Sequence, residues 1–368
     1  PDSNELVKME QELRDAMESG VFGMSSGLVY PPGCYAKTEE LITLCKIVRE
    51  YNGIYATHMR NEGNELEAAL NETINISKES GVKSQVSHIK TWGEKNWWKI
   101  DKIERMLKGA RADGIDITCD RYPYTASATD LDIILPDWVY EGGTAKEKKR
   151  LGDPLCRERI IKEMEQEGVS KEFWGTIMIS SVFNKDKRSY EGKTIAEIST
   201  TLKVPPLEFV LDLLYEEDCR VSVIFFNMSE ENLARILKWD FVMVGSDSSL
   251  RSLKGVLNYG KPHPRGYGTF SRVIRKYVNQ TSILSIEDAI YKMTGFPAQK
   301  LGLEDRGILK EGFFADITIF DQETIAEQAT FTDPHNYSIG IKHVIVNGKL
   351  TINNGKHKSV MNGAILRK

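Results

Sequence analysis

Three short stretches each set a residue able to bind a metal ion or move a proton at the end of an apolar run: His58 in "YATHMRNEG", His88 in "SQVSHIK" and Asp247 in "VMVGSDSS". Two imidazoles and a carboxylate are donors that suit a zinc ion, and a catalytic zinc keeps one position open for water. The chemistry would be hydrolysis. Zinc lowers the pKa of its bound water to about 7, so hydroxide is available at neutral pH, and the same ion polarises the carbonyl it faces. Taken singly, each residue also has a plainer use: a strand-end histidine is commonly satisfied by one hydrogen bond in a core, and an aspartate among serines caps a helix or a turn. What decides between these readings is whether the three converge.

The elements that carry them make convergence the expectation. Residues 39–51 read as a helix, "GIYATH" as a strand, 65–80 as a helix, "VKSQVSHIK" as a strand, 98–113 as a helix and "GIDITCDRYPY" as a strand, in βα units of about 30 residues. This is the rhythm of parallel α/β architecture. In a (β/α)8 barrel the carboxyl ends of the strands face the active site, so polar residues far apart in sequence meet there. Gly53, Gly81 and Gly114 each precede a strand, where a left-handed helix cap is cheapest. From 131 to 206 the rhythm breaks into a charged stretch that is too long for a βα connection, and it reads as an insertion. The pattern resumes with a helix at 207–217, "RVSVIFF" as a strand, a helix at 230–239 and "FVMVGSDSS", then helices around 270–278 and 286–294. After residue 300 short strands and turn residues, "GILKEGFFADITIFD" and "HVIVNGKLTINNGK", predict a small β unit. The expected division is therefore a barrel over 1–300, insertion included, and a β domain over 301–368.

Composition narrows the partner. The formal net charge is -4 and no cluster of lysine and arginine is interleaved with aromatics, which points away from nucleic acid and anionic membranes and towards a small molecule. The 5 cysteines are scattered without a C-x-x-C spacing, as in the reduced thiols of a cytoplasmic protein. No apolar run approaches the roughly 20 residues that span a bilayer. The chain begins at Pro1 and enters a helical pattern at once (Leu6, Met9, Leu13, Met17), so it reads as cut from a longer protein, and a signal peptide in the preceding part stays open.

Read together, "GVFGMSSGLVYPPGCYAKTEEL", "GIYATHMRNEG", "SQVSHIK", "DRYPYTA", "MVGSDSS", "KPHPRGYGTF", "MTGFPAQKLGLEDRGILKEGFFADITIFD" and "HVIVNG" resemble the D-aminoacylase (N-acyl-D-amino-acid deacylase) family of the amidohydrolase superfamily over nearly the whole chain. "THMRNEG", "YPYTA" and "HPRGYGTF" in this order are its more specific motifs. The resemblance implies a metal-dependent-hydrolase TIM barrel, incomplete at its N-terminus, with an inserted subdomain and a small β-sandwich-like unit that shares strands with an absent N-terminal part. It implies that His58 and His88 bind zinc, one ion or two, and that Asp247 is the general base and acid. Lys90, Tyr122 and Arg265 would hold the carboxylate of the substrate, an N-acyl-D-amino acid cleaved at its amide bond. His263, between Pro262 and Pro264, would shape its loop; His335, His343 and His357 are left structural.

The sequence departs from that family in two places. The family's His-x-His pair and its metal-binding cysteine are not found in these residues, so further ligands are expected upstream of Pro1, and none of the five cysteines stands in the matching context. Where the family commonly reads Gly-Ser-Thr after "YPYTA", this chain has Ser127, Ala128 and Thr129. About five of eight barrel strands would leave open sheet edges, so the 368 residues alone are expected to bind zinc poorly and not to turn over substrate. Two other readings compete. A cyclic amidase of the dihydroorotase or hydantoinase kind would bring a lysine to the strand at "GVFGMSSGLV", which has none; a degenerate, non-catalytic member would have lost ligands that are present here.

Overall fold

The computed structural model describes residues 1–166 and 170–368. Their strands, in chain order, are β1 (Gly23–Gly27), β2 (Ile54–His58), β3 (Lys83–Val86), β4 (Ile117–Arg121), β5 (Ala126–Asp130), β6 (Ile177–Val182), β7 (Val221–Phe226), β8 (Val242–Val244), β9 (Ile317–Phe320), β10 (Ile341–Val346), β11 (Lys349–Asn353) and β12 (Lys356–His357). Five of them form one parallel sheet in the order β1-β2-β3-β4-β8. Helices Thr38–Glu50, Leu66–Ser80 and Ile100–Ala112 connect the first four strands and lie where the βα rhythm places them. This is the parallel α/β core expected of a TIM-barrel-type hydrolase.

Alternation explains how the sheet is held. In β2, Tyr55 and Thr57 are buried while Ala56 and His58 face the other way and remain partly open. On the helix side, Leu66, Leu70, Ile103 and Leu107 pack against Val86, Ile117 and Val242, so one apolar cluster ties β3, β4 and β8 to their helices. Each fully buried side chain of this kind is worth roughly 1.5–3 kcal/mol. The helix Leu66–Ser80 ends as expected on Gly81 in the left-handed region (φ 70), whose N–H returns to the Ser77 carbonyl. At 53 the reason for glycine is different from the one anticipated. Asn52 takes the left-handed conformation (φ 54), and Gly53 is required because a Cβ there would sit 2.8 Å from Met17 Cε and Val48 Cγ1.

The insertion is larger than its expected limits of 131–206, of which 167–169 lie outside the described residues. It is built on a three-stranded antiparallel sheet, β5-β7-β6, whose strands span Ala126 to Phe226. "RVSVIFF" therefore does not resume the barrel; it is the middle strand of this second sheet. A short apolar strand covered on both faces looks the same in sequence whichever sheet it joins, and Val221, Val223, Ile224 and Phe225 are all buried. The insertion has its own core, in which Leu131, Trp174, Ile177, Val210, Leu214 and Val223 pack together. The C-terminal β unit is present as the antiparallel sheet β12-β11-β10-β9. Among the described residues no helix is long and apolar enough to cross a membrane.

Candidate active site

His58 closes β2, His88 stands two residues past β3, Tyr122 follows β4 directly, and Asp247 stands three residues past β8. These strands are neighbours and parallel, so their carboxyl ends share one edge of the sheet. A cavity of about 1230 Å³ opens there, and His58, His88, Lys90, Tyr122, Asp247 and Arg265 all line it. The six residues singled out from sequence are thus brought together.

The imidazoles of His58 and His88 meet edge to face, with ring centres 4.5 Å apart. Glu62 lies against both: its Oε1 is 2.9 Å from His88 Nδ1 and its Oε2 is 3.7 Å from His58 Nε2. The same carboxylate pairs with the buried ammonium of Lys90, whose Nζ is 2.6 Å from His88 Nδ1. One ring nitrogen cannot donate to Glu62 and accept from Lys90 at once. With the proton on Nδ1, donated to Glu62, the Nε2 lone pair of His88 is free to take a metal. Burial pushes the His58 imidazole down to about 4, opposed by Glu62 and reinforced by His88 and Lys90. It is therefore neutral at pH 7, as a ligand must be. Burial works against ionisation of Glu62, yet Lys90, His58 and His88 outweigh it and hold the carboxyl well below its usual range. Donor atoms of His58, Glu62 and His88 all lie within 4.8 Å of one another. Imidazole nitrogen and carboxylate oxygen are the donors zinc takes in open catalytic sites, so the residues fit such an ion.

Across the cavity, Asp247 Oδ2 and Arg265 Nη1 form an ion pair at 2.8 Å. The Arg265 guanidinium lies over the ring of Tyr122, 4.6 Å from its centre. The Tyr122 hydroxyl is buried and has no partner among the described residues, which leaves a donor to spend on a ligand. His88 and Asp247 both have positive φ, 39 and 47, a conformation that costs a residue with a Cβ about 1–2 kcal/mol. For His88 the hold is visible. Asp120 Oδ1 accepts its backbone N–H at 2.9 Å while Oδ2 accepts from Gln85 Nε2 at 2.8 Å. The same carboxylate stands 3.1 Å from where a Cβ on Gly245 would lie, so Asp120 ties together the tips of β3, β4 and β8.

His263 has the loop-shaping geometry anticipated for it. Its Nε2–H donates to the Ala126 carbonyl at 2.9 Å, and its Nδ1 accepts from the Arg265 backbone N–H at 3.0 Å, which seats Arg265. Sequence reading missed three participants: Glu62, Asp120 and Tyr30. The Tyr30 ring lies 5.1 Å from that of His58, and its hydroxyl meets Thr129 Oγ1 at 2.9 Å. For Glu62 a signal existed, an acid in a tight loop four residues after a candidate ligand; for Asp120 and Tyr30 nothing in the local pattern sets them apart.

The comparisons agree with this geometry. A profile of an amidohydrolase family matches residues 256–352. An N-acyl-D-glutamate deacylase of Alcaligenes xylosoxydans xylosoxydans is 33% identical over 95% of this chain and 61% of its own length, so the chain spans less than two thirds of that relative. A solved D-aminoacylase with a binuclear metal centre superposes with a TM-score of 0.81 at 30% identity, covering 100% of this chain and 67% of the other. The N-acyl-D-glutamate deacylase of Bordetella bronchiseptica, solved with zinc and a phosphonate that mimics the tetrahedral intermediate, gives 0.78 at 29%, over 99% and 67%. The chain belongs to the D-aminoacylase family of amidohydrolases.

Proposed function

We propose that the protein hydrolyses the amide bond of N-acyl-D-amino acids, releasing a D-amino acid and a carboxylate, with zinc as its metal. The observation that carries the reading is the meeting of His58, His88 and Asp247 at neighbouring strand tips, opposite the unspent Tyr122 hydroxyl and the Arg265 guanidinium. His58 and His88 would hold the metal, with Glu62 orienting His88 from behind or adding its own oxygen. When bound, zinc supplies a water acidic enough to be hydroxide at neutral pH and polarises the carbonyl it faces.

The chain's own residues do the rest. Lys90, Tyr122 and Arg265 receive the substrate carboxylate, and the planar fork of Arg265 suits a bidentate grip. Arg265 is at rest paired with Asp247. A substrate carboxylate arriving on Arg265 competes for that pairing and turns the Asp247 carboxylate towards the scissile amide. Asp247 then takes a proton from the attacking water and returns it to the leaving nitrogen, as general base and then acid. Its left-handed backbone at the end of β8 fixes where that carboxylate can reach.

The test is to express the full-length protein, determine its bound metal, and assay paired N-acetyl-D- and N-acetyl-L-amino acids. Zinc near one or two equivalents and turnover confined to the D series are expected. Equal or exclusive activity on the L series sinks the reading.

A further inference from the structure

We infer from the cavity's walls that the substrate is a monoanion with a bulky apolar group, not an N-acyl derivative of an acidic D-amino acid. This rests on the deacylase reading and narrows it. Away from the metal-binding end, the wall is made by Trp92, Ile133, Ile134, Phe173, Phe225 and Phe226, most of it contributed by the insertion. Among the described residues only Lys90, Lys95 and Arg265 bring a lysine or arginine to the cavity, and residues 167–169 include neither type. Lys90 is paired with Glu62 and Arg265 with Asp247, and both are assigned to the one carboxylate every N-acyl-amino acid carries. Lys95 is exposed beside Glu94. Glu94 and Glu172 stand on the same lining, so the potential there does not draw in a second negative charge.

A side-chain carboxylate placed on that wall would lose its water without gaining a partner, which is far costlier than burying a hydrocarbon of similar size. The relative at 33% identity is named for D-glutamate, so overall similarity and the cavity point to different substrates. The apolar group could be the amino-acid side chain or the acyl chain. The chemistry the wall recognises is the same.

The experiment measures kcat/KM of the zinc-loaded, full-length protein for N-acetyl-D-leucine, N-acetyl-D-phenylalanine, N-acetyl-D-glutamate and N-acetyl-D-aspartate, and compares N-acetyl- with N-octanoyl-D-alanine. A preference of about a hundredfold for an apolar compound over both acidic ones is expected. Gain with leucine places the side chain on the wall; gain with octanoyl places the acyl chain there. Turnover of N-acetyl-D-glutamate within about tenfold of the best apolar substrate overturns the inference and leaves the deacylase reading standing. Failure to hydrolyse any of these D compounds overturns both. Ile134→Lys, checked for an unchanged melting transition, is expected to shift the glutamate-to-leucine ratio by at least about tenfold towards glutamate. An unmoved ratio would show that the wall does not meet the substrate and overturns the inference.

Discussion

Glu62→Gln tests the network beneath the candidate metal site. Its carboxylate is 11% exposed and the Lys90 side chain 3% exposed, so neither charge is well solvated. Removing one member of a buried pair costs roughly 3–5 kcal/mol, most of it the penalty for the charge left behind. Glutamine keeps an oxygen for Lys90 and an amide near His88, which sets the expectation at the lower end, about 3 kcal/mol. Lys90→Met alone leaves Glu62 without its strongest partner, and His58 and His88 compensate only in part. In the double variant both charges are gone, and the loss should fall to about 1 kcal/mol, giving a coupling of about 2–3 kcal/mol. The assay is urea unfolding of the metal-free protein and its three variants at pH 7, followed by circular dichroism, with the slopes compared before the midpoints. Single-variant effects that add to within about 0.5 kcal/mol would refute the reasoning, because two groups that do not sense each other cannot be a buried pair.

The remaining predictions concern catalysis, backbone hold and pH. Asp247→Asn should lower kcat by about 10²–10⁴ with a nearly unchanged melting temperature, since asparagine tolerates the left-handed backbone, whereas Asp247→Ala should lose activity and about 1 kcal/mol of stability as well. Asp120→Ala frees the His88 amide and should weaken zinc binding about tenfold to a hundredfold in a metal titration while costing about 1–3 kcal/mol in unfolding. Glu147 in the insertion is 2% exposed with a buried, unpartnered Oε1, and burial with nearby Asp132 pushes its carboxyl from 4.5 up to about 7. The folded state therefore binds this proton more tightly than the unfolded chain. Stability is full below about pH 4.5 and falls as pH rises to about 7, by at most about 3 kcal/mol. Glu147→Gln should remove that slope and leave the protein more stable than its parent at pH 8, as read by unfolding at pH 5 and pH 8.

The parts legible in sequence were those set by periodicity. The alternation of β2 and the apolar stripe of the helix Leu66–Ser80 repeat at 2 and 3.6 residues, and glycine at 81 marks the stop. Knowing that the strands are parallel was then enough to put His58, His88 and Asp247 at one edge. β7 was misplaced because "VSVIFF" encodes burial and not the identity of its neighbours. Glu62, Asp120 and Tyr30 escaped because their roles consist of partners distant in the chain: Lys90, the amide of His88, and Thr129. That blind spot has a consequence for how the site works. Lys90 and Arg265 are visible in sequence as free cations waiting for a carboxylate, yet in the fold each already has one, Glu62 and Asp247. Substrate binding is then an exchange of partners, not the filling of an empty positive pocket, and its gain is the difference between two ion pairs. On the Arg265 side the displaced partner is the proposed proton carrier itself. A substrate lacking its carboxylate would leave Asp247 tied to Arg265, and so should lose kcat as well as affinity.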